Sequence, residues 1–205
     1  MNCFWDKVAR LYDLAEISNK GVNDMMADCV TAEVPDGATV LDCAAGTGML
    51  SLAAAKKAGR VLCTDYSPEM LKAAKKKAWK ADVHNINYAR RDILRLKDAD
   101  NSYDIAIAGN VMHLLDEPQK AFSELVRVTK KGGKIIIPTY LLAEVGMFEL
   151  LVMVYKRFGF EPKTAFDIDS YLVFIADNAE ACGCKEYSTR YLPGRMPAGF
   201  AVITK

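Results

Sequence analysis

Short apolar runs alternate along the chain with longer stretches whose apolar residues recur at every third or fourth position. This is the pattern of sheet strands joined by helical crossovers. The first 35 residues read as helices, with Phe4, Val8, Leu11 and Ala15 on one face. Pro35-Asp36-Gly37 is a turn signal. Ala38 to Cys43 reads as the first strand, followed by Ala44-Ala45-Gly46-Thr47-Gly48 and a helix from Met49 to Ala58. Val61 to Thr64 forms a second strand that ends at Asp65. Ser67-Pro68-Glu69 then opens a helix with a capping side chain, a first-turn proline and an acid near the positive end of the dipole. That helix turns Leu71, Ala74 and Ala78 inward; its Lys72, Lys75, Lys76, Lys77 and Lys80 read as a solvated face. Strands around Ile86 to Ala89, Asp104 to Ala108 and Ile135 to Ile137 follow. Between the last two, Glu117-Pro118 starts a helix that holds Ala121, Leu125 and Val128 on one side and breaks at Gly132-Gly133. Two more helical stretches, 142–158 and 167–182, precede final strands at Lys185 to Tyr191 and Phe200 to Thr204. The sum is a single α/β domain, 1–205, with seven strands and helices on both faces.

Composition narrows the function classes. The 205 residues are half apolar and about a quarter charged, with a formal net charge of +1, the ordinary globular mix. No basic excess or stripe marks a nucleic-acid partner. No apolar run is long enough to span a bilayer, and Met1 to Arg10 does not resemble a secretory signal, so the expected compartment is the cytoplasm. Of the six cysteines, Cys43 and Cys63 fall in strand patterns, and Cys182-Gly-Cys184 lacks the spacing and partner ligands of a zinc site. They read as reduced, packed thiols, and no metal is expected.

The chemistry-bearing residues gather where a parallel sheet binds ligands, beyond the carboxyl ends of its strands. Asp42 lies near the end of the first strand, Asp65 at the end of the second, Asp92 after the third and Asn110 after the fourth. Four in succession make a rim. Gly46-Thr47-Gly48 lets backbone approach a ligand closely. Asp65, about 20 positions further on, suits two ribose hydroxyls, as in a dinucleotide site. The third small residue of the pyrophosphate fingerprint is missing, because Ser51 stands there. Asp92 and the Ile93 amide could read an adenine edge with one accepted and one donated bond. Asp42 fits either a direct ligand contact or a structural tie between loops.

The segment Val40-Leu41-Asp42-Cys43-Ala44-Ala45-Gly46-Thr47-Gly48 resembles the first motif of the class I S-adenosylmethionine-dependent methyltransferases. Asp65-Tyr66-Ser67-Pro68-Glu69-Met70-Leu71 resembles their second segment. Arg91-Asp92 and Asn101-Ser102-Tyr103-Asp104-Ile105-Ala106 are similar to the adenine-site acid and the fourth strand. Leu125 to Lys134 resembles the helix-turn before the fifth strand. The likeness covers roughly residues 38 to 138, with an echo in Trp5 to Asp13, and is nearest to the type-11, quinone-biosynthesis-like branch. It departs at Ala44, where the family most often has glycine.

This resemblance implies a Rossmann-like, mostly parallel sheet with an antiparallel last strand. It implies a helical lid at 1–35, a cofactor core at 38–140, an acceptor-side insertion at 141–183 and final strands at 184–205. It implies S-adenosylmethionine as cofactor and a small-molecule acceptor. Gly46 and Gly48, with Asp42, Ala44 and Thr47 around them, would serve the methionine portion, Asp65 the ribose, and Tyr66 and Met70 the adenine faces. Asp92 and Ile93 would take the adenine edge and Asn110 the methionine end. His113, just past the fourth strand, is the candidate base, with a packed wall histidine as the alternative. Tyr12 is the candidate lid side chain near the sulfonium. Aromatic and methionine residues from Met147 to Phe174 suggest an apolar pocket or a homodimer face, or plain packing onto the sheet. Two other functions stay open: a non-catalytic binding domain of the same fold, and a nicotinamide-dependent oxidoreductase, which would lack its third glycine and any Tyr-x-x-x-Lys pair.

Overall fold

A computed structural model describes residues 5–6, 19–144 and 163–205 of the chain. Seven strands form one sheet: β1 (Thr39–Asp42), β2 (Arg60–Asp65), β3 (Ile86–Arg90), β4 (Tyr103–Ile107), β5 (Thr129–Tyr140), β6 (Glu186–Leu192) and β7 (Ala198–Thr204). Their order is β3-β2-β1-β4-β5-β7-β6, so the direction of winding reverses between β1 and β4. β1 to β5 pair in parallel, while β7 runs antiparallel to both β5 and β6. The Rossmann-like sheet and its antiparallel last strand are as expected.

Five α-helices stand among the described residues: α1 (Lys20–Glu33), α2 (Met49–Ala55), α3 (Pro68–Lys80), α4 (Pro118–Val128) and α5 (Ile168–Ala181). Alternate strand residues feed two cores, because successive side chains leave opposite faces of a sheet. Val40, Val61, Ile105 and Ile136 pack with α1, α2 and α3. Leu41, Ala106, Ile135 and Ile137 pack with α4 and α5. Near-continuous apolar strands are what a sheet covered on both faces requires.

Local chemistry explains the boundaries. α3 starts where the Ser67 side chain accepts the Met70 amide at 3.2 Å, with Pro68 following. α5 starts on Asp167, which accepts the Ser170 amide at 2.8 Å in a reciprocal capping box. α4 ends earlier than Gly132-Gly133 implies. Its last residue is Val128, the Thr129 hydroxyl turns back to the Leu125 carbonyl at 2.7 Å, and β5 begins at once. The glycines lie inside that strand. Gly132 donates to the Lys205 carbonyl at 2.7 Å and Lys205 donates to Gly133 at 3.0 Å, a pairing that the local sequence does not announce.

α1 is a core helix, with Val22, Met26 and Val30 buried, and its Thr31 hydroxyl reaches the Ala53 carbonyl of α2 at 3.0 Å. Residues 1–4 and 7–18 of the expected lid and most of the 142–158 helix lie outside the described residues, as do Tyr12, Met147 and most of the aromatic insertion. Only a 3-10 turn at Leu142–Glu144 represents the start of that helix. No helix among the described residues is long and apolar enough to cross a membrane.

Candidate active site

The reversal between β1 and β4 opens a cleft at the strand carboxyl ends, where ligands bind in doubly wound sheets. A cavity of about 400 Å³ lies there. That is within the usual range for small-molecule sites. Of the expected residues, Asp42, Ala44, Gly46, Asp65, Tyr66, Met70, Asp92, Ile93 and Asn110 line it together.

Asp65 fastens the rim. Its Oδ2 accepts the Gly46 amide at 2.9 Å and its Oδ1 accepts the Ser67 amide at 2.8 Å. Burial raises its pKa, opposed by the amides of Ser67 and Gly46. Each carboxylate oxygen has a second lone pair, so the group retains capacity to accept from a ligand.

Asp42 is the more unusual acid. It is 1% exposed; its Oδ2 accepts the Ser51 hydroxyl at 2.6 Å, while Oδ1 has no hydrogen-bond partner among the described residues. Burial pushes its pKa up to about 7; the Ser51 hydrogen bond opposes this and the Asp65 charge adds to it. Ser51, which breaks the dinucleotide fingerprint, therefore serves as the donor that holds this acid.

The turn after β1 requires unusual backbone. Ala44 has φ 51° and Gly48 φ 82°. A Cβ on Gly48 would lie 2.9 Å from Ala74 Cβ. The positive φ at Ala44 accounts for the glycine usual at this place, because the left-handed region costs an alanine roughly 1 kcal/mol.

Thr47 and Gly48 are the expected cofactor residues that do not line the cavity, and the remaining rim residues differ in burial and partners. Thr47 is buried and accepts Lys77 Nζ at 2.7 Å, and with Gly48 it stands behind the cavity wall. Both shape the turn. Asp92 is exposed and its Oδ1 accepts the Leu94 amide at 3.0 Å. Tyr66 is exposed too, with the Arg90 guanidinium 4.7 Å from its ring centre. Asn110, at φ 52°, accepts the Tyr140 amide at 2.9 Å, which ties the rim to β5.

His113 is buried between Met112 and Leu114, off the cavity wall, and its Nδ1 has no partner among the described residues. Burial alone lowers its pKa to about 4, so the imidazole is neutral at pH 7. Sequence reasoning missed much of the apolar wall: Trp5, Met49, Leu50, Val111, Leu114 and Leu115, together with Arg91 and Gly109. The run Val111 to Leu115 beyond β4 was the available signal. No cluster of three His, Cys, Asp or Glu suited to a metal occurs among the described residues.

The sequence model of a methyltransferase-domain family matches residues 41–137, the stretch that builds this cleft. The match is to a methyltransferase domain and covers somewhat under half of the chain. Among the chain's relatives, the ubiquinone/menaquinone biosynthesis C-methyltransferase UbiE of Bdellovibrio bacteriovorus is 34% identical over 123 residues, 59% of this chain and 52% of the relative. The demethylmenaquinone methyltransferase of Paenarthrobacter aurescens is 29% identical over 97% of this chain and 80% of its own length. The chain thus spans from about half to four fifths of these two relatives. The fold is shared with a solved S-adenosylmethionine-dependent methyltransferase from Thermotoga maritima, described as a possible histamine N-methyltransferase. Its TM-score is 0.75 at 16% identity, and 98% of each chain is covered.

The site yields two expectations. Ala44→Gly relieves the left-handed strain, less the extra chain entropy of glycine, and raises stability by up to ~1 kcal/mol, read as a higher Tm. Between pH 4 and 7 the folded ligand-free protein holds a proton on Asp42 that the unfolded chain has released. Asp42 therefore contributes stability that falls by a few kcal/mol as pH rises through that window and levels off above it, while the buried neutral His113 contributes in the opposite sense between pH 4 and 6.5. Asp42→Asn removes this contribution, so the stability difference between the two proteins, followed by thermal melts from pH 4 to 8, carries the slope.

Proposed function

We propose that this chain transfers the methyl group of S-adenosylmethionine to a small-molecule acceptor by in-line displacement. The observation that carries this reading is the convergence of Asp42, with its unpartnered Oδ1, and Asp65 on one cleft with apolar walls at the sheet's reversal point. The residues present fit the cofactor. Asp65 would hold the ribose hydroxyls, and Tyr66 and Met70 would flank the adenine, whose edge meets Asp92 and the Ile93 amide. Asp42 and the Ala44–Gly46 turn would take the methionine end, next to Asn110. The names of the quinone methyltransferases among its relatives support a small organic acceptor.

When bound, the cofactor supplies a methyl group on a sulfonium, already activated for displacement. The protein's part is orientation, which can supply ~7–11 kcal/mol of the barrier. Trp5, Leu114 and Leu115 line the cleft with apolar surface and exclude water. A dedicated base is optional in this reading. The buried, neutral imidazole of His113 is in the protonation state that accepts a proton, so it stays the candidate where the acceptor must lose one. The five described cysteines, all free thiols, support a reducing compartment such as the cytoplasm.

Calorimetric titration with S-adenosylmethionine and S-adenosylhomocysteine tests the reading: micromolar binding of both is expected, and binding of neither by folded protein overturns it. Asp65→Ala weakens cofactor affinity by about 100-fold or more, because two bonds to a charged acceptor are lost. Asp65→Asn keeps the shape of the turn and separates loss of ligand bonds from loss of the Gly46 and Ser67 ties. For His113→Gln, turnover is followed across pH; an unchanged rate throughout removes it as a base.

A further inference from the structure

One element of the molecule has no part in the cleft chemistry, namely the outer face of α3. Lys72, Lys75, Lys76, Trp79 and Lys80 are all exposed. They follow the spacing i, i+3, i+4, i+7, i+8, which places five side chains on a single helical stripe with Trp79 among the lysines. The opposite side, Met70, Ala74 and Ala78, is buried in the core. Lys77 lies off the stripe and is engaged by Thr47. The one acid at its start, Glu69, stands 3.7 Å from Lys72.

Two features separate this stripe from an ordinary solvated helix. Trp79 is 77% exposed, although tryptophan is highly buried on average. The positive charge is also local, because the whole chain carries a formal net charge of only +1. The end of α2 extends it: Asn85, just after α3, donates to the Ala55 and Ala58 carbonyls at 2.9 and 2.8 Å, and the exposed Lys56 and Lys57 lie between those two residues.

We propose that the α3 face docks on an anionic membrane surface. Lysine ammonium groups are mobile point charges suited to a diffuse field of lipid headgroups. An indole, apolar with one N–H, settles at the boundary between headgroups and acyl chains. The face is a convex helix with one aromatic ring. It lacks the groove and row of stacking aromatics that single-stranded nucleic acid needs. Docking itself does not rest on the methyltransferase reading. Its consequence, access to an acceptor dissolved in the bilayer, does.

The full chain is sedimented with vesicles of equal parts phosphatidylglycerol and phosphatidylcholine, and with vesicles of phosphatidylcholine alone. Binding to the anionic vesicles is expected to be at least ~10-fold tighter and to fade as salt shortens the screening length from ~10 Å at 0.1 M to ~3 Å at 1 M. Lys72→Glu/Lys76→Glu lowers that affinity by about 10-fold or more. Lys75→Glu/Lys80→Glu gives an independent reading should the first pair fold poorly. Tryptophan emission shifts to the blue with anionic vesicles, and the shift disappears in Trp79→Phe. Both charge-reversal pairs retain wild-type affinity for S-adenosylmethionine, which checks their folding. Equal binding to both vesicle types, no sedimentation, or unchanged affinity in folded charge-reversal variants overturns the proposal. Tighter binding to a single-stranded RNA oligomer than to vesicles at the same salt also overturns it. Loss of cofactor binding with docking intact overturns the methyltransferase reading alone.

Discussion

The cleft depends on the hydrogen bonds that one carboxylate accepts from two different turns. Asp65 sits at the tip of β2, and its oxygens take the Gly46 amide from the turn after β1 and the Ser67 amide at the start of α3. Three elements that meet at the rim are held by one side chain. The amides would otherwise be among the unpaired groups that end every strand and begin every helix. The acid is desolvated to do this, so the same contacts that order the loops keep a charged acceptor aimed at the opening.

The wall opposite is ordered in a different way. Asn110 adopts a left-handed backbone, gives its amide to the Pro138 carbonyl at 2.8 Å and takes the Tyr140 amide on its side chain. Tyr140 in turn hydrogen-bonds Asn23 of α1. A core helix, the end of β5 and the loop after β4 are thereby coupled at the edge of the cavity. Below them, the loop that carries Asp92 is braced from α4: Glu124 accepts the Leu96 amide at 2.7 Å, and Arg127 binds the Leu96 and Asp98 carbonyls. The ligand-facing surface consists of loops, yet each loop is anchored to a rigid element, the usual arrangement of an active site on an α/β scaffold.

Most strands and helices were legible because both sheet faces are covered. Runs such as Ile135 to Ile137 have no polar alternative, and Ser67-Pro68 or Asp167 with Ser170 mark helix starts by their own capping chemistry. The rim acids were legible by position, since a strand end is a place where a buried carboxylate has a purpose. The particular tasks of Thr47 and Asn110 depend on partners 30 positions away in the chain, and that of Ser51 on the way the turn folds it back over Asp42, so no local pattern encodes them. The same holds for the early end of α4, whose cause is the pairing of Gly132 and Gly133 with Lys205. Leu114 and Leu115 read as ordinary apolar residues because a pocket wall and a core use the same side chains.

β7 lies between β5 and β6, although it follows both in the chain. All seven of its residues pair on each side, from Ala198 to Thr204. During synthesis, β1 to β5 can assemble as they emerge, but β6 has no neighbour to join until the segment behind it has arrived. The growing polypeptide therefore carries an open β5 margin and an idle β6 segment until β7 emerges. Such unpaired strands are what nascent chains aggregate through. The arrival of β7 gives β5 its partner and makes β6 the margin of the finished sheet.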